Sequence, residues 1–102
     1  MEKKEADKLF EKSLRELEEA GANMRCDDLT RLLEKLGFSV RKGNKGGHRP
    51  FAHPKLPGFH GASFNCGHGK NPEIKRSYIK DASGILREYE DQIKEYLRGT
   101  KL

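Results

Sequence analysis

Between Glu2 and Ala20 the apolar residues Ala6, Leu9, Phe10, Leu14, Leu17 and Ala20 recur at helical spacing. Almost every other position there is Glu, Lys, Asp or Arg, with opposite charges often four apart, as on a solvated helix face. Gly21 follows as a C-cap. The stripe Leu9–Phe10–Leu14–Leu17 needs a cover, supplied either by the rest of the chain or by self-association through this helix. A second helix is predicted from Cys26 or Asp27 to Lys35. Its stripe of Leu29, Leu32, Leu33 and Leu36 is the best core signal in the chain. Asp27 and Asp28 suit its positive N-terminus, and Gly37 ends it.

After Gly37 the period changes from helical to alternating. Phe38–Lys42, His48–His53 and Ala62–Cys66 read as strands. In the middle one Phe51 is the residue to bury, and His48, of opposite parity, points to the other face. Pro50 is a difficulty, because proline lacks a ladder donor and favours an edge or a bulge. Pro54–Gly61 and Gly67–Pro72 read as loops. Asn71-Pro72-Glu73 offers a cap for a last helix, with Ser77 as a later start. Ile79, Ala82, Leu86, Tyr89, Ile93 and Leu97 give that helix one long apolar face, with Gly84 inside it.

The order helix, helix, three antiparallel strands, helix predicts an α+β fold. A three-stranded antiparallel meander is covered by helices on one face and open on the other. The expected core is Leu29, Leu32, Leu33, Leu36, Phe38, Val40, Phe51, Phe64, Ile79, Ala82 and Leu86. Residues 1–22 read as an amphipathic extension, and 23–102 as the domain proper.

Only 33% of the 102 residues are hydrophobic and 36% are charged, so the core is small. No apolar run is long enough to span a membrane, and the charged start is unlike a signal peptide. The chain is therefore expected to be soluble and cytoplasmic, with no membrane partner. Cys26 and Cys66 show no CxxC spacing and are expected to be reduced and mostly buried. A net charge of +5 and a pI near 9.3 favour an anionic partner without naming it.

The stretch Arg41-Lys42-Gly43-Asn44-Lys45-Gly46-Gly47-His48 sharpens that. Three glycines and an asparagine supply the positive φ angles of a hairpin turn. Three cations lie on or before the turn, and His48, an imidazole able to move a proton near neutral pH, opens the next strand. Close backbone approach, positive charge and proton transfer together suggest RNA.

The same residues carry a family resemblance. Leu32-Leu33-Glu34-Lys35-Leu36-Gly37-Phe38, then Val40-Arg41, then Gly46-Gly47-His48, then Phe51, resembles the pattern of the HicA-type toxins. These are small bacterial mRNA interferases paired with HicB-type antitoxins. Gly67-His68-Gly69 and the final helix match in order, so the resemblance spans Asp27 to Leu86. It implies a fold like a double-stranded-RNA-binding domain. It also implies the toxin of a type II toxin–antitoxin system, a metal-independent endoribonuclease that cuts mRNA and inhibits translation. No cofactor and no metal are then expected, and the partners are RNA and a HicB-like antitoxin. By the resemblance His48 is the catalytic histidine. Lys42, Lys45 and Arg49 are the candidate phosphate contacts, with Arg41 ranked after them because alternation aims it elsewhere. Gly46 and Gly47 would let the RNA backbone approach. One departure stands out: Gly47 occupies the place of the family serine, so any contact by that hydroxyl is missing.

Two other classes compete. A non-catalytic RNA-binding module suits the basic strand and the open sheet, although no aromatic-rich face is present to stack single-stranded bases. A zinc site would draw on His48, His53, His60, Cys66 and His68, but their spacings fit no standard module. His53 shares the parity of Phe51 and reads as structural, and His68 as a loop histidine.

Overall fold

The alternating segments pair as a three-stranded antiparallel sheet, β1 (Ser39–Val40), β2 (His48–Ala52) and β3 (Ala62–Asn65), in that spatial order. Around it lie α1 (Lys3–Glu19), α2 (Cys26–Lys35), α3 (Arg76–Glu88) and α4 (Glu90–Arg98). This computed structural model describes residues 1–20, 23–43 and 46–100. Gly21, expected as a cap, and Asn44 and Lys45, expected on the turn, lie outside the described residues. The architecture is α+β, as the order of periodicities predicts.

Register fixes which face is buried. Phe51 pairs with Val40 and Ala62, and Arg49 pairs with Phe64, so Phe51 and Phe64 share a face with ring centroids 6.0 Å apart. Both rings are buried, while His48, Ala52, Ser63 and Asn65 on the other face are exposed. Pro50 lies in the central strand, not at an edge. Its carbonyl accepts from the Arg41 N–H at 2.9 Å, so its missing donor also faces β1. There the ladder ends after Val40, which explains why β1 holds two residues instead of the expected five.

α2 ends in a Schellman arrangement, with Phe38 N–H donating to Leu33 O and Gly37 N–H to Glu34 O. Gly37 has φ +96°, and a Cβ there would lie 2.3 Å from the Tyr96 ring and 2.7 Å from His53 Nε2. That contact closes the aromatic end of the core, where His53 packs edge-on to both Phe38 and Tyr96.

α1 turns Ala6, Phe10, Ser13 and Leu17 inward, and leaves Leu9 and Leu14 half-covered beside them. It packs on α3 and α4 of its own chain. The ion pairs Asp7–Arg98, Glu11–Lys94 and Glu18–Arg87 run in opposite senses along the two partners, so the seam is antiparallel. The last helix is not continuous. It bends at Tyr89 (φ −107°, ψ 22°), although Tyr89 N–H still donates to Ile85 O and Ile93 N–H to Tyr89 O. Tyr89 seats its ring 5.6 Å from that of Phe59 at the bend. Neither proline nor glycine lies at the break, and periodicity alone does not reveal it.

Two further expectations are corrected. Cys26 and Cys66 are not reduced: they form a disulfide, with Cα atoms 5.4 Å apart. The fold brings the first residue of α2 to the end of β3, and a sequence separation of 40 conceals that meeting. Asn71-Pro72 does not cap the last helix, which starts at Arg76 after Lys75. Instead Asn71 Oδ1 accepts from Asp27 N–H at 2.9 Å and Pro72 O from Cys26 N–H at 2.9 Å, so this loop caps α2. Of the expected core, every residue is buried except Val40, which is half-exposed. Among the described residues no helix is long and apolar enough to cross a membrane.

Candidate nucleic-acid interface

The β1–β2 turn presents His48 on the open face, directly across from Asn65 on β3. Beyond the formal ladder the pairing continues, since Gly43 N–H donates to His48 O at 2.7 Å. A Cβ on Gly43 would lie 2.7 Å from His48 Cδ2 and 3.0 Å from its Cβ. The imidazole thus rests over a position that must lack a side chain, which limits where the ring can sit. Gly43 seats the His48 ring, a contact that the turn composition hints at but the motif does not single out.

The two glycines beside His48 do different things. Gly46 (φ +56°) has nothing within 4 Å of its would-be Cβ among the described residues. Gly47 is closed: a Cβ there would meet Gly67 N at 2.5 Å, Gly67 O at 2.7 Å and Asn65 Oδ1 at 2.9 Å. Its bare Cα admits the backbone of the loop after β3, not that of a ligand, which corrects the expectation. The family serine would not fit on this backbone without a shift.

That neighbouring loop is held at both ends. Cys66 donates to Gly47 O at 2.8 Å and is bonded to Cys26, and Gly67 N–H donates to Asn65 Oδ1 at 2.8 Å. At the far end Ile74 N–H donates to Met24 O at 2.9 Å, and Glu73 pairs with Arg25 at 3.8 Å. Between these anchors His68, Gly69 and Lys70 form an exposed tip beside the His48 turn.

Register also reorders the cations. Arg41 N–H donates to Pro50 O, so Arg41 shares the parity and the open face of Pro50 and His48. Lys42 falls opposite Arg49, on the parity of the buried face where the sheet runs out. Arg49 curls back, its Nη1 donating to His48 O at 3.2 Å and Gly46 O at 3.4 Å, so it braces the turn. Arg41 and Lys42 are exposed, and among the described residues no carboxylate pairs with either.

The remaining histidines separate by burial. His53 is buried; its Nε2 donates to Leu36 O at 3.0 Å and its Nδ1 accepts from Lys55 N–H at 3.1 Å. Those two bonds together fit the neutral imidazole. Burial pushes its pKa below the usual value, opposed in part by the Leu36 carbonyl. His60 is exposed on the loop before β3. With Cys66 in a disulfide and His53 in the core, the dispersed zinc set does not converge. Among the described residues no three His, Cys, Asp or Glu side chains gather to hold a metal.

No family model matches the chain, and neither the curated proteins nor the solved structures yield a match. The functional reading therefore rests on the chemistry of the turn and on the motif it carries.

Proposed function

We propose that the chain is a metal-independent endoribonuclease of the HicA type, the toxin of a type II toxin–antitoxin pair, with a fold related to double-stranded-RNA-binding domains. The observation that carries the reading is His48. It is exposed on the open face at the glycine turn, seated over Gly43, with Arg41 on the same face and Lys42 beside it. An imidazole there can act as base toward a ribose 2′-hydroxyl or as acid toward the departing 5′-oxygen. The guanidinium of Arg41 can neutralise charge developing on the phosphorane. The natural inhibitor is an acidic HicB-like protein that covers this basic end and gains electrostatic steering by doing so.

The test is His48→Ala. Cleavage of mRNA should fall by about 10²–10⁴, the usual share of acid–base catalysis, while RNA binding by the cations largely persists. Wild-type protein should cleave in EDTA and fail on RNA methylated at the 2′-oxygen. An undiminished rate in His48→Ala removes this reading.

The second reading, a non-catalytic RNA-binding module, is favoured by Gly47: the backbone of Gly67 fills the space a family serine would use. Binding without cleavage by the wild type would establish it. We place the protein in the cytoplasm, where its RNA substrate lies. Against that stands the Cys26–Cys66 disulfide, since such bonds persist mainly in oxidising compartments. Thiol trapping of the protein directly from cells decides between the two.

A further inference from the structure

RNA cleavage by a 2′-hydroxyl needs two proton transfers on opposite sides of phosphorus, and His48 supplies one. The loop against which Gly47 is packed carries a second exposed imidazole. His68 stands between Gly67 (φ +74°) and Gly69 (φ +102°), two positive-φ positions that make a sharp turn and push the residue between them outward. Its place relative to His48 is set by short backbone contacts. Gly47 O accepts from Cys66 N–H at 2.8 Å, the bare Gly47 Cα faces Gly67, and His48 lies across from Asn65, three residues before His68. The Cys26–Cys66 bond and the Asn71 and Pro72 contacts to α2 hold the two ends of that loop against the fold. Beside it lies a cleft of about 270 Å³ lined by His68, Asn65, Lys75, Tyr78 and Glu73. Lys75 offers that cleft a cation, and Glu73 is turned to Arg25.

We propose that His68 is the second proton-transfer residue, working with His48 on one RNA phosphodiester. The inference rests on the ribonuclease reading above and deepens it. One imidazole, neutral, takes the 2′-hydroxyl proton as the 2′-oxygen bonds to phosphorus. The bond from phosphorus to the 5′-oxygen breaks, and the other imidazole, protonated, gives its proton to that leaving oxygen. The products are a 2′,3′-cyclic phosphate and a 5′-hydroxyl. The two rings end with exchanged protonation states, which solvent restores. A phosphate held between the two loops would meet one histidine from the β1–β2 turn and one from the loop after β3. Among the described residues nothing crowds Gly46 on the first loop or Gly69 on the second, so these two leave room for its oxygens, while Gly47 is filled by Gly67.

The experiment compares wild type, His48→Ala and His68→Ala on ordinary RNA and on RNA whose scissile 5′-oxygen is replaced by sulfur. A thiolate leaves without protonation, so this substrate relieves only the variant that lacks the acid. On ordinary RNA both variants should lose about 10²–10⁴ in kcat/KM. On the sulfur substrate one variant, and only one, should recover the wild-type rate. The wild-type pH profile should be bell-shaped and should lose one limb in each variant. His68→Asn, which keeps a polar side chain on the turn, should behave as His68→Ala does, and circular dichroism verifies that each variant is folded. A wild-type rate in His68→Ala on ordinary RNA, or no rescue of either variant, overturns the assignment of His68 while leaving His48 in place. Absence of cleavage by the wild type overturns the ribonuclease reading itself, and His68 with it.

Discussion

Along the seam between α1 and the last two helices, Arg87, Lys94 and Arg98 each meet a carboxylate of α1: Glu18, Glu11 and Asp7. At the turn end of the sheet, Arg41, Lys42, Lys70 and Lys75 meet none among the described residues. Pairing has consequences for titration on the seam. The hydrogen bond from Arg98 holds the Asp7 carboxyl below its usual range, and Glu90 raises Lys94. The two regions also pack by opposite means. The seam interlocks side chains such as Phe10, Leu17, Ile93 and Leu97, with Lys94 5.3 Å from the Phe10 ring centroid. The turn end brings backbone onto backbone, Gly47 on Gly67, with no side chain between them. Charges already answered fix how helices dock; charges left unanswered around a bare backbone create a positive field open to an anion.

The largest expected effect on stability comes from the bond that ties the turn end to α2. Cys26→Ser with Cys66→Ser should lower the free energy of unfolding by about 2–4 kcal/mol, as expected for closing a loop of this size. Urea denaturation measures it. Because the bond anchors one end of the His68 loop and not the α1 seam, hydrogen exchange should rise most in residues 66–75. A uniform rise across α1 and α4 would contradict the separation of the two regions.

Next in size is Gly47→Ser, which installs the residue that the family pattern carries. Its Cβ would press on Gly67 and Asn65 Oδ1, so the variant should lose about 1–3 kcal/mol by overpacking. Chemical denaturation decides. A neutral or stabilising outcome would mean that the two loops separate more readily than their contact implies.

How much of this was legible in the sequence follows the range of the interactions. The stripe Leu29–Leu36 and the shared face of Phe51 and Phe64 are local periodicities, and both appear where the pattern places them. The placement of His48 opposite to Phe51 follows from the same alternation. Arg41 follows the same alternation: its parity is opposite to that of the buried Phe38, and the register with β2 agrees, putting it on the open face with His48 rather than away from it. The disulfide, the capping of α2 by Asn71 and the fit of Gly47 on Gly67 join segments far apart in the chain, with no repeating pattern to announce them. Leu56 and Ile74 are buried from loops for the same reason.

His53 gives a pH test of the buried side of the sheet. Burial lowers its pKa in the folded chain relative to 6.5, the ordinary value the unfolded chain takes. Above that pH both states are neutral and the contribution of His53 to stability is fully present. As pH falls below it, the unfolded chain binds the proton first, so stability should decline. Unfolding curves measured between neutral and mildly acidic pH should show the decline, and His53→Gln should flatten it. An unchanged slope in His53→Gln would place the titrating group elsewhere.

The smallest effects should divide the two regions most cleanly. Glu18 and Arg87 are 36% and 60% exposed, so Glu18→Gln should cost less than about 1 kcal/mol of stability. That difference should shrink in high salt, where exposed pairs are screened. RNA affinity should stay unchanged, because the seam lies away from the turn. Arg41→Ala should do the converse. It removes no ion pair among the described residues, so the unfolding midpoint should hold, while RNA binding weakens and its logarithmic salt dependence flattens by about 1 if one phosphate contact is lost. Binding titrations over a range of salt, beside thermal melts of the same proteins, read both quantities. If Arg41→Ala lowered stability and left the salt slope intact, its charge would belong to the fold as those of the seam do, and the contrast between the two regions would fail.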